Sequence, residues 1–152
     1  MKSASAKLAN IDFFEPASFS FEDLYIGKSA SIHRTILGKD IQDFSDVSGD
    51  TNPIHIDEEF AKNTPFGGCI AHGMFSASLI SAVIGTKLFG PGCIYMSQTL
   101  RFLAPVRVGE TVYVMCKIKE TFPEKSRVLL DTKCYVKDTV VIDGEALIKI
   151  TK

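Results

Sequence analysis

Two hydrophobic periods run along this chain, and they exchange near residue 92. Before it, apolar residues recur mainly at three- and four-residue spacing; after it, they alternate with polar ones. The exception in the first half is residues 29–36, where Ala30 and Ile32 face one way and Ser31 and His33 the other, which predicts a strand. Residues 39–47 predict a helix, with Ile41, Phe44 and Val47 inward and Asp40, Asp43 and Asp46 outward. Ser48-Gly49-Asp50 stops it. Asn52 precedes Pro53, which disfavours the helical region for Asn52 and forces a bend. Asp57, Glu58 and Glu59 complement the dipole at the start of a second short helix, which residues 64–68 end.

No charged residue occurs over residues 73–86. A helix over residues 73–88 would span about 24 Å, and being apolar or small on every side it is expected to be buried all round. A membrane span wants about 18 or more apolar residues. This run is shorter and is broken by Ser76, Ser78 and Ser81, so the membrane reading fails. Gly90-Pro91-Gly92 terminates the helix.

Beyond Gly92 the pattern is extended. Residues 94–104 read as one long run. Val112, Val114, Cys116 and Ile118 alternate with Tyr113, Met115, Lys117 and Lys119. Val128, Leu130, Thr132, Cys134 and Val136 form a second inward face, and Ile142, Ala146, Ile148 and Ile150 a third, interrupted by Gly144. Turn signals at residues 108–110, 123–125 and 137–139 separate them. Four consecutive strands with short links predict an antiparallel meander. The fold class expected is α+β: an antiparallel sheet wrapped around one long buried central helix. At about 150 residues per domain, 152 residues make one domain. Residues 1–20 read as a tail whose Phe13, Phe14 and Phe19, with Phe21 just beyond, suggest that its second half docks on the domain of residues 21–152.

Composition adds exclusions. Apolar residues make up 45% and charged residues 23%, an ordinary globular balance. Lys and Arg number 17 against 18 Asp and Glu, net charge −1, which argues against a nucleic-acid or anionic-membrane partner. The cysteines at 69, 93, 116 and 134 form no C-x-x-C, so neither a zinc ribbon nor a redox dithiol is expected. The N-terminal segment has no long apolar run, no arginine, and acids at Asp12 and Glu15, so neither export nor organellar import is indicated. Four reduced thiols in the cytoplasm are the expectation.

Two segments hold the candidate chemistry: D-T-N-P-I-H at 50–55 and I-A-H-G-M at 70–74. Taken singly, each residue has a plain reading. Asp50 could cap the next helix, Asn52 could bond across the turn that Pro53 forces, and His55 could be a satisfied core histidine. His72 reads as packing or bonding near the helix start, and His33 as a surface residue. No i, i+4 histidine pair or H-E-x-x-H supports a metal site.

The combination changes these readings. Residues 44–55, Phe-Ser-Asp-Val-Ser-Gly-Asp-Thr-Asn-Pro-Ile-His, with Ala61 six residues on, resemble the hydratase-2 motif of the MaoC-like (R)-specific enoyl-CoA hydratases. The resemblance continues through residues 70–74, 98–106 and 108–110, and covers roughly residues 22–150. It implies a hot-dog fold, in agreement with the periodicity. It also implies hydration of trans-2-enoyl thioesters: Asp50 and His55 hold and activate a water that adds to C3 while a proton reaches C2, and the Gly73 amide receives the thioester oxygen. Ser81 matches a family position near the site, and Asn52 belongs to the motif; these two are the candidate substrate-binding residues. The chemistry suits the residue types. A histidine transfers protons near neutrality, and a glycine amide at a helix N-terminus lets an oxyanion approach closely.

No metal or redox cofactor is expected. The implied partner is an acyl-CoA thioester or its acyl-carrier-protein equivalent, with Lys62, Lys87, Arg101 and Arg107 available for phosphates. A homodimer is expected from the family and from the need to cover strand edges. Two other classes share the fold. Hot-dog thioesterases usually carry a carboxylate on the central helix, and residues 73–88 have none. A non-catalytic acyl-thioester binding domain should lack the Asp–His pair, which this chain keeps.

Overall fold

A computed structural model describes residues 20–151. The expected tail, with Phe13, Phe14 and Phe19, lies outside the described residues apart from Ser20. Phe21, at the start of the described chain, packs with Leu24 against the core.

Strand β1 (Ser29–Thr35) leads into helix α1 (Gly38–Ser48), then α2 (Pro53–Ile56), α3 (Glu58–Lys62) and α4 (Gly73–Ala82). Strands β2 (Cys93–Gln98), β3 (Arg101–Phe102), β4 (Thr111–Phe122), β5 (Arg127–Val136) and β6 (Thr139–Ile150) follow. The sheet order is β1-β4-β5-β6-β2, with β3 also pairing β6, and the pairs are antiparallel. The inward faces read from the alternation are the buried ones: Val112, Val114, Cys116 and Ile118 on β4; Val128, Leu130 and Cys134 on β5; Ala146, Ile148 and Ile150 on β6. They close on α4 through Leu79 and Ile80, and on the helical turn that continues it through Val83 and Ile84.

Four expectations need correction. The meander runs through three consecutive strands, not four. The run 94–104 does not neighbour β4 but crosses to the far edge and pairs with β6. That run is also not continuous: a register shift falls between Tyr95 and Ser97, and the chain breaks at Thr99 and Leu100 before β3. Gly144 explains the break, since a Cβ there would stand 1.8 Å from the Thr99 carbonyl oxygen. The crossing is fastened by the Thr99 amide on the Glu145 carbonyl (2.8 Å) and the Glu145 amide on Thr99 Oγ1 (2.9 Å).

On α1, Val47 is exposed; the buried face is Ile41 and Ser45, with Phe44 half-buried, the i, i+3, i+4 stripe of a helix lying on a core. The central helix does run over residues 73–88, its last turn and a half (Val83–Leu88) widened to π geometry in which the Phe89 amide reaches the Ile84 carbonyl. It is not buried all round. Met74, Ser78, Ser81 and Gly85 form an exposed stripe along it, so absence of charge marked enclosure on three sides only. No helix among the described residues is long and apolar enough to cross a membrane.

Candidate active site

Gly49 ends α1 in the left-handed conformation (φ 77°), and its amide caps the Ser45 carbonyl. This turns the chain sharply into Asp50. Two buried side chains then converge on one backbone atom: the Ser45 hydroxyl donates to the Asp50 carbonyl at 2.8 Å, and His72 Nε2 meets the same oxygen at 3.0 Å. The Asp50 carboxylate accepts from the Asn52 amide (3.2 Å) and is left half-exposed. Asn52, not Asp50, is the cap of α2: its Oδ1 accepts from the Ile54 amide, with Pro53 at the first helical position. That single turn of helix carries His55.

Two ring nitrogens have their roles set by their partners. His55 Nδ1 lies 2.8 Å from the Ile70 carbonyl oxygen. A carbonyl can only accept, so Nδ1 carries a proton, and in the neutral ring Nε2 is the nitrogen with the free lone pair. By the same reasoning, His72 donates from Nε2 to Asp50, and its buried Nδ1 has no hydrogen-bond partner. The rings are stacked at 3.9 Å between centroids and 30° between planes. Phe44 packs against His72 in a tilted contact at 5.0 Å.

One ring nitrogen from each histidine and one Asp50 carboxylate oxygen lie within 4.8 Å of one another. These three are a donor set of the right type for a cation. Each ring has one nitrogen on a carbonyl, which leaves the other nitrogen of each as the possible ligand.

A cavity of about 410 Å³ opens beside this cluster. Among the described residues, His55 and Ser76 are the only polar side chains in its wall; Phe66, Ile70, Phe102 and Ile142 are among the apolar ones, and Gly73 lies on it as well. Such an apolar chamber with a few polar groups at one end suits an acyl chain ending in a reactive carbonyl. Gly73 is the first residue of α4, where amides lack intrahelical acceptors. Phe102 packs directly against it: a Cβ on residue 73 would stand 2.7 Å from that ring, which would have to shift. Phe66 is held in the wall by a loop tied at both ends. The Arg107 guanidinium donates to the Phe66 carbonyl, and the Cys69 amide donates to Glu58 (3.1 Å). That amide, with the Cys69 side chain, draws the Glu58 carboxyl below its ordinary range.

Of the residues expected at the site, His55 and Gly73 line the cavity, while Asp50 is not part of its wall and joins them through its cluster with His55 and His72. Asn52 is exposed and occupied in capping. Ser81 is exposed on the outer stripe of the central helix and does not line the cavity. Of the cations, Lys62 pairs with Glu59 (3.1 Å) and Arg101 with Asp143 (3.5 Å), while Arg107 holds the Phe66 loop. Met74 lines the cavity, whereas Leu79 and Val83 belong to the core. Sequence reasoning missed Ser45, Ser76 and Phe102. Only Ser45 carried a signal, a small polar residue at the i+4 position of the stripe begun by Ile41.

A fold of this kind, with a His and a glycine-opened helix end at one cavity and an Asp beside the His, defines a class, and comparison with known proteins gives it a name. The MaoC-like domain model matches residues 26–143, and the chain belongs to that family. Among its relatives is the 3-hydroxybutyryl-CoA dehydratase of Methylorubrum extorquens, 51% identical, covering 87% of this chain and 84% of that protein. The (R)-specific enoyl-CoA hydratase of Rhodospirillum rubrum is 49% identical, covering 86% and 90%. The unliganded R-hydratase PhaJ1 of Pseudomonas aeruginosa superposes with a TM-score of 0.82 at 43% identity, over 87% of this chain and 85% of that one. The family is thus one of hot-dog hydratases and dehydratases, and the expected fold class holds.

Proposed function

We propose that this protein is a hydro-lyase that adds water reversibly across a trans-2-enoyl thioester to give the (R)-3-hydroxyacyl thioester. The observation that carries the reading is the fixed tautomer of His55: with its Nδ1 proton given to Ile70, the free Nε2 is a ready base at the polar end of an apolar cavity. The names and degree of identity of the relatives support the same activity.

In this reading the acyl chain fills the cavity and the thioester oxygen takes a hydrogen bond from the Gly73 amide, whose helix-end position favours the negative charge that develops there. Asp50 and His55 hold a water between them. His55 Nε2 takes one proton as the water oxygen bonds to C3, and a proton is returned to C2 from the same pair. The product is the hydroxyacyl thioester, and no redox partner is needed. Asn52 shapes the turn that carries His55. The substrate handle is coenzyme A or its acyl-carrier-protein equivalent; Arg101, largely exposed next to the cavity residue Phe102, is the cation best placed for its phosphates.

The working form is a homodimer. Strand β2 pairs with β6 along one edge only, and Ile94, Tyr95 and Met96 on it stand exposed, an edge that a second copy's β2 would cover. The catalytic domain begins at residue 21. Four unpaired cysteines suit a reducing cytoplasm.

The test is to mix the protein with crotonyl-CoA and follow the enoyl absorbance and the configuration of the product. Loss of absorbance with (R)-3-hydroxybutyryl-CoA formed supports hydration. Free thiol released with no hydroxyacyl product would make it a thioesterase instead.

A further inference from the structure

We propose that His72 and Ser45 are positioning residues for the Asp50–His55 pair, acting by clamping the Asp50 main chain and the face of the His55 ring. This rests on the hydration reading and deepens it. Both side chains are all but fully buried, at 2% and 0% exposure. A loop that merely needed its backbone satisfied would spread its partners over several peptide groups. Here the Ser45 hydroxyl and His72 Nε2 both end on the single carbonyl of Asp50, occupying both of its lone pairs. The two come from opposite sides of the loop, one from α1 and one from the residue preceding Gly73.

His72 makes a second contact of the same kind. Its ring stacks on His55 at 3.9 Å between centroids and also packs against Phe44 in a tilted contact at 5.0 Å, so His55 cannot shift toward His72 without disturbing packed rings. His72 therefore links three parts of the machinery in one rigid piece. It holds the acid residue through its backbone, faces the base, and immediately precedes the glycine whose amide faces the thioester. Its unpartnered Nδ1 is consistent with a ring placed for these contacts at the expense of its own hydrogen bonding.

Since His72 acts through Asp50 and His55 and does not touch the reacting atoms, its removal should lower kcat while leaving KM nearly unchanged, because the acyl cavity is not altered. The two functions of the ring separate in two variants. His72→Phe keeps an aromatic face against His55 and loses the donor; His72→Gln keeps an N–H for the Asp50 carbonyl and loses most of the stack. Ser45→Ala removes the second donor with a smaller change of volume, and serves if His72→Phe does not fold.

The experiment measures kcat and KM for crotonyl-CoA hydration in these variants, alone and in an Asp50→Asn background. The expected result is a fall in kcat of about ten- to hundredfold for His72→Phe and a smaller fall for Ser45→Ala, with KM within about threefold, since small misplacements of positioned groups cost rates of that size. His72→Gln should recover part of the loss. In the Asp50→Asn background His72→Phe should cost less than about twofold more, because a residue acting through Asp50 has nothing left to position. A folded His72→Phe or Ser45→Ala protein with wild-type kcat would overturn the proposal, and so would the full penalty persisting in the Asp50→Asn background. A wild-type protein without hydratase activity would overturn both this and the hydration reading, whereas an active wild type with indifferent variants would overturn this alone.

Discussion

The ring of Phe102 lies against the first residue of the central helix so closely that a methyl group on Gly73 would sit 2.7 Å from two of its carbons. The glycine therefore serves two partners at once: an aromatic wall of the acyl cavity and, in our account, the thioester oxygen.

Gly73→Ala separates these roles. The clash is with a side chain that can move, so the protein should fold; the amide stays, but a methyl beside it would hinder the close approach of the thioester oxygen, so kcat for hydration should fall by up to about a hundredfold, the size of losing one oxyanion donor. Adding Phe102→Leu relieves the clash. Steady-state kinetics should then show most of the loss remaining; full recovery in the double variant would mean that the glycine matters only for packing.

Gly144→Ala should act on stability and not on chemistry. Its methyl would meet the Thr99 carbonyl oxygen, a backbone atom, at 1.8 Å, where nothing can yield without moving β2 or β6. Overpacking of this kind costs about 3 kcal/mol, or roughly 10 °C in a domain of this size. Thermal unfolding checks it, and an unchanged Tm would contradict the placement of the Thr99 crossing.

Burial pushes the Cys116 and Cys134 thiols up to about 12 from an ordinary value of 9.0, with Cys134 also acting on Cys116. Below pH 9 these thiols are neutral in both folded and unfolded chains and contribute no pH dependence. Between pH 9 and about 12 they ionise only when the chain is unfolded, so stability should fall as pH rises through that window. Denaturant unfolding of wild type against a Cys116→Ala/Cys134→Ala protein checks this; the alkaline slope should flatten in the variant. An equal slope would place the effect elsewhere.

The uncovered edge of β2 predicts a dimer in sedimentation. Ile94→Lys, at a position half-exposed in the single chain, should shift it toward monomer. A wild-type monomer would contradict the dimer.

Much of this was legible in the sequence because the signals are local. The alternation on β4, β5 and β6 marks faces correctly, since each strand has one face on the same helix. The D-x-N-P-x-H spacing brings Asp50 and His55 together because Gly49 and Pro53 each impose a turn. What was not legible is long-range. Nothing in residues 94–104 says that they cross to β6, because an edge strand with both faces open carries no alternation to read. The uncharged helix concealed its exposed stripe, since serine, glycine and methionine serve an interface as well as a core. Ser81 fell on that stripe for this reason. The Ser45 and Ile70 partners of the site were hidden because hydrogen bonds to backbone carbonyls leave almost no mark on residue type.

The central claim is that Asp50 and His55 together move the protons of a water at the mouth of the apolar cavity. It is tested most directly by kcat for crotonyl-CoA hydration in Asp50→Asn and His55→Ala, each confirmed as folded. The account predicts a loss of at least about a thousandfold in each, within the range of positioned acid–base groups, and a double variant hardly worse than either single one. Hydration at a rate near wild type in either folded variant would contradict it.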